Sequence, residues 1–155
     1  MNRFNKFLAT TFLSASMFFA GVAQAMPIQQ FDKMAGDDQG EYVAELIVGA
    51  QQVLKDAGNP DLAARVHTLF TTKKNPADQI SLGIAEFEAN LARAREADER
   101  RVGKDPHARR LEVEDAMIVT LRKNGIELPP SFLTVASNFK PKFPPPAKEK
   151  KEKKN

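Results

Sequence analysis

The chain has 155 residues, 42% of them hydrophobic, with no cysteine, no tryptophan, one tyrosine and a formal net charge of +3. A chain without cysteine forms no disulfide, offers no thiolate nucleophile and builds no cysteine-ligated zinc site. The net charge hides two opposed regions: residues 26–139 carry 14 basic and 18 acidic residues, whereas residues 140–155 carry 7 basic and 2 acidic ones. The body is therefore at −4 and the tail at +5, and the overall charge describes neither part.

Residues 1–25 read as a secretory signal peptide. Arg3 and Lys6 give a basic start, residues 7–22 are apolar or small and uncharged, and Ala23-Gln24-Ala25 ends the segment as an A-x-A cleavage site. The apolar run is shorter than the roughly 20 residues that span a bilayer. Cleavage after Ala25 is expected to leave a periplasmic or secreted product without a transmembrane segment. That product is one domain by size and holds together by apolar packing alone.

Residues 26–36 are expected to form an arm, punctuated by Pro27 and Gly36, from which Phe31 and Met34 dock on the body. The first long helix is expected from Asp37 or Asp38. Tyr42, Leu46, Gly49, Ala50, Val53, Leu54 and Ala57 recur at three- and four-residue steps, and Gly58 stops the stripe. Gly49 marks a candidate close approach between helices. Asn59-Pro60-Asp61 opens a second helix to about Thr71, with Leu62, Ala63, Val66, Leu69 and Phe70 inward.

Asn75-Pro76 repeats that opening, so the spacing predicts a third helix over 76–102, with Ile80, Ile84, Phe87, Leu91 and Ala94 buried and a charge-laced end before Gly103. Asp105-Pro106 predicts a fourth helix over 106–124, with Leu111, Val113, Met117, Ile118 and Leu121 inward, closed by Gly125. A short fifth segment follows Ser131 and packs through Phe132, Val135 and Phe139. Residues 140–155 read as a disordered Pro/Lys-rich tail. The fold expected is all-α: a compact antiparallel four-helix bundle over residues 26–139 with a short fifth C-terminal segment.

No catalytic constellation is legible. Among the serines expected after cleavage, none stands in a G-x-S-x-G elbow, and the chain has no glycine-rich phosphate loop. Glu86 and Glu88, two apart on a helix, point in different directions and form no catalytic pair. Glu112, Glu114 and Asp115 read as a solvated acidic face, with Arg110 and Glu114 as an i,i+4 ion pair. His67 and His107 lack ligand spacing, so a metal-dependent hydrolase would need them to meet Glu114 in space. The arginines from Arg93 to Arg110 alternate with acids, which argues against a nucleic-acid stripe. No metal or cofactor is expected.

The functional expectation is a non-enzymatic exported binding protein of the bacterial envelope, chaperone- or inhibitor-like. Its candidate contacts are Phe132, Phe139 and Phe143 toward an envelope protein, and Lys148, Lys150, Lys151, Lys153 and Lys154 toward an anionic surface. The alternatives are a small-ligand carrier with a pocket lined by Phe70, Phe87 and Met117, and the metal-dependent hydrolase. In layout alone the chain resembles small exported helical proteins of Gram-negative bacteria, among them acid-stress chaperones and immunity proteins. Those are marked by paired cysteines, which this chain lacks.

Overall fold

In the computed structural model residues 25–133 are described, and they build five α-helices. These are α1 (Ile28–Asp32), α2 (Gly36–Asp56), α3 (Pro60–Thr71), α4 (Leu82–Lys104) and α5 (Val113–Lys123), with a further helical turn opening at Ser131. The expected leader, Phe139, Phe143 and the lysines from Lys148 onward lie outside the described residues. The described region is all-α: its only β pairings are two isolated antiparallel bridges, Pro27 to Glu112 and Lys73 to Ser81.

Each long helix packs on its neighbour in the chain: α2 on α3, α3 on α4 and α4 on α5. The apolar stripe of α2 is the reason it forms. Tyr42, Leu46, Ala50, Val53 and Leu54 share one face and are all buried. Asp37 and Asp38 in its first turn complement the helix dipole. Gly58, at φ +80°, turns the chain out of α2, and Gly125, at φ +73°, does the same after α5, both in the left-handed region that glycine enters without steric cost. Between the two, α3 starts with Pro60 in its first turn as expected.

Two helix starts differ from expectation. Asn75-Pro76 opens a turn, in which the Asp78 carboxylate accepts from the Asn75 N–H at 3.0 Å and the Asp78 N–H returns to the Asn75 carbonyl at 2.9 Å. The helix waits for Ser81, whose hydroxyl accepts from the Ile84 N–H at 3.3 Å. Asp105-Pro106 likewise opens a turn, closed by the His107 N–H on the Asp105 carboxylate at 2.9 Å. The last long helix starts seven residues later at Val113, where the Asp115 carboxylate reaches back to the Glu112 N–H at 2.9 Å. In both cases the residues after the proline carry no apolar stripe, so local turn bonds win over a helix with nothing to bury.

A close helix approach is seen at Gly83. A Cβ there would stand 2.8 Å from the Leu69 carbonyl oxygen and 2.8 Å from the Phe70 ring, so the start of α4 rests on the end of α3 only because the side chain is missing. Gly49 is buried on α2.

The N-terminal segment docks on the body as expected, with Phe31 in the core and Met34 packed against it, and Met26 and Ile28 join the core as well. Met26, Ile28 and Phe31 are 4%, 1% and 1% exposed. The segment runs beside the stretch leading into α5: the Val113 N–H donates to the Met26 carbonyl at 3.0 Å and the Ile28 N–H donates to the Leu111 carbonyl at 3.2 Å. The Phe31 ring lies 6.1 Å from that of Tyr42, tilted at 58°. A bidentate pair at 2.7 Å joins Asp32 to Arg95 of α4.

Candidate functional site

The one strongly perturbed acid of the described region is Glu114, in the first turn of α5, and it is wholly buried. It does not lie on the solvated acidic face expected for it, and it does not pair with Arg110. Glu114 stands three residues before Met117 and seven before Leu121, on the stripe that faces the core. Arg110 instead turns to Asp98 of α4, at 2.8 Å. Asp98, 3% exposed, also accepts from the Leu111 N–H at 2.8 Å and so moors the long loop before α5.

Both oxygens of Glu114 are engaged. The Tyr42 hydroxyl of α2 donates to Oε1. The Met26 backbone N–H donates to Oε2 at 3.2 Å, across 88 residues of sequence. Three remote segments therefore meet on one carboxyl group: the N-terminal strap, α2 and α5. Burial pushes the Glu114 carboxyl up from 4.5 to about 7, against the opposing pull of the Tyr42 hydroxyl. Burial first, then the Glu114 charge, holds the Tyr42 hydroxyl well above its ordinary range. A carboxyl that titrates near neutrality is often catalytic. This one is wholly buried and has both oxygens occupied, so its present work is to tie the strap to the helices.

A second polar node joins α4 and α5. The Asn90 amide donates to Thr120 Oγ1 at 3.0 Å and accepts from Arg93 and Lys123 at 3.0 Å each. These contacts satisfy the buried polar atoms of Asn90 and Thr120 and leave no open ligand position.

The expected site residues are scattered. Phe132 is 1% exposed and belongs to the core. His67 and His107 are exposed, Glu114 is buried, and no three His, Asp or Glu side chains of the described residues gather to hold a metal ion. Phe70, Phe87 and Met117, proposed to line a ligand pocket, are 2%, 0% and 0% exposed and fill the interior. Among the described residues no helix is long and apolar enough to cross a membrane.

Among the described residues, two shallow surface depressions share Leu82. One, of about 470 Å³, is bounded by Lys74, Asp78, Ile80 and Leu82; the other, of about 290 Å³, by Arg65, Leu69, Leu82 and Ile126. Leu82 itself is 37% exposed. Nothing in the sequence singles out Leu82, because its exposure depends on where α4 begins.

No family model matches the chain, and no curated protein or solved structure matches it.

Proposed function

We propose that this is an exported, non-enzymatic protein-binding module of the bacterial envelope. The carrying observation is the exposed Leu82, set between two depressions on a body whose interior is already filled by its own side chains. An exposed leucine beside buried Leu69 and Ile126, on a rim where Arg65 and Lys74 outweigh Asp78, suits an apolar partner side chain with acidic neighbours. The signal-like start supports export, and the Lys-rich tail supplies a cationic arm that strengthens encounter with an acidic partner or surface.

The test is capture of a partner from an envelope extract by the tagged, exported protein, compared with Leu82→Glu. Because Leu82 is exposed, the substitution is expected to leave the melting temperature within about 2 °C of wild type, while the captured partner is lost. Equal capture by the two proteins, or no capture by either, removes the proposal.

A further inference from the structure

Glu114 raises a question that a binding role does not answer: why the core holds an acid at all. Among the described residues no lysine, arginine or histidine forms an ion pair with it. Its partners are a phenol and one backbone nitrogen, and neither is a cation. A buried carboxylate without a cation is unfavourable, and natural folds pair such groups or leave them out.

The backbone nitrogen is that of Met26, the residue directly after Ala23-Gln24-Ala25. The hydrogen bonds that seat the strap also begin there: the Met26 carbonyl is held by Val113 and the Ile28 N–H by Leu111. Met26 is seated on Glu114 in the chain that still carries Ala25, and Ala25 itself is only partly covered.

We infer that hydrolysis of the Ala25–Met26 bond is a maturation step of the fold itself, because it turns the Met26 nitrogen, already seated on Glu114, into an ammonium group that completes a buried ion pair. In the cleavage the C–N bond breaks and water supplies the balance. The Ala25 carbonyl carbon gains the oxygen and becomes a carboxylate, and the Met26 nitrogen gains two protons and becomes –NH3+. The hydrogen bond, charged on the acceptor side alone while Met26 is an amide, becomes an ion pair charged on both sides, in a site too dry to be screened by salt. The uncleaved chain keeps Glu114 without a countercharge, and it is less stable for that reason. Full stability then arrives only once a peptidase of the export machinery has acted.

Other groups that bear on the carboxyl do not replace the ammonium. Tyr42 from α2 is a neutral donor, and Glu112 from its own element is of like charge. On the α4 side Asp98 is taken by Arg110.

The inference rests on the export reading, and two separate measurements keep their failures apart. N-terminal sequencing of the exported protein is expected to return Met26 as the first residue. A different first residue overturns the cleavage site and the inference with it. Independently, residues 26–155 are released from a fusion by a protease cutting just before Met26, and compared with the same chain carrying Gly-Ser-Ala ahead of Met26. At pH 7 the free-terminus chain is expected to have a folding equilibrium constant larger by about tenfold or more, the equivalent of one pKa unit. The gap is expected to vanish in Glu114→Gln and, in the wild-type pair, to shrink as the pH is raised above about 8, where an α-amino group loses its proton. Equal stability of the two wild-type chains, or a gap that persists at high pH, overturns the ion pair whatever Glu114→Gln does.

Discussion

The clearest consequence of the buried carboxyl is a pH dependence of opposite sign to that of ordinary acids. Consider the chain extended ahead of Met26, so that the Met26 nitrogen is an amide. The Glu114 carboxyl stands at about 7 in the folded protein, against 4.5 for the unexposed environment's ordinary counterpart, an unhindered glutamate in water. A raised acid means that the folded state holds the proton more tightly than the unfolded one. Below about pH 4.5 both states are protonated and nothing is lost. Between 4.5 and about 7 the unfolded state releases its proton first, and stability falls with rising pH; above about 7 the loss is complete. Multiplying that interval by the energy of one pKa unit gives a loss of about 3 kcal/mol. The perturbation is Glu114→Gln, which removes the titration while keeping an acceptor for the Tyr42 hydroxyl or the Met26 N–H. Of the two N–H donors its amide brings, the Tyr42 hydroxyl oxygen accepts one and the other finds no acceptor here, a pH-independent penalty of about 1–3 kcal/mol. The comparison therefore reads the slope and not the offset. Urea unfolding of both chains at steps from about pH 4 to about pH 8 measures it. Wild type is expected to lose about 3 kcal/mol relative to Glu114→Gln across that range. Parallel profiles, or a wild type that gains on the variant as pH rises, would refute the reasoning.

Two further outcomes follow from the packing. Gly83→Ala is expected to destabilise the protein by about 1–2 kcal/mol in a thermal melt. The new Cβ meets the Leu69 backbone carbonyl at 2.8 Å, which cannot rotate away, and the overpacking cost of about 1–3 kcal/mol exceeds the propensity gain of at most about 1 kcal/mol. Asp98→Ala is expected to cost about 2 kcal/mol in urea unfolding, because it strands the Leu111 N–H and the Arg110 guanidinium together. The Leu111 amide is also expected to exchange its hydrogen faster.

Much of the bundle is legible from the residues. The stripe from Tyr42 to Leu54 predicts α2, Asn59-Pro60 predicts the start of α3, and Gly58 and Gly125 mark the stops of α2 and α5. The same Asx-Pro signal misleads at Asn75 and Asp105, because it reports only a local turn. Whether a helix follows depends on the apolar residues behind it: Leu62, Ala63 and Val66 follow Pro60 at once, whereas Ala77-Asp78-Gln79 and His107-Ala108-Arg109 follow the other two prolines. The strap's pairing escapes detection for a different reason. Residues 26–32 are too few to show a period, and their partners, Leu111 to Glu114, are more than 80 residues away. Glu114 is the instructive case. Its neighbours Glu112 and Asp115 make it look like one of an acidic group on a wet face, yet its three- and seven-residue steps to Met117 and Leu121 place it on the core side of α5. Pattern reading that weights charge over phase misses it.

The account turns on the electrical state of one contact, between the first atom of strap backbone and the carboxyl it rests on. Site-selective 13C labelling of the Glu114 carboxyl, followed by NMR titration of the chain that starts at Met26 and of the chain extended ahead of it, reads that state directly. The predicted result is a carboxyl that titrates near 7 in the extended chain and clearly lower when Met26 carries a free ammonium. Superimposable titrations in the two chains would contradict it.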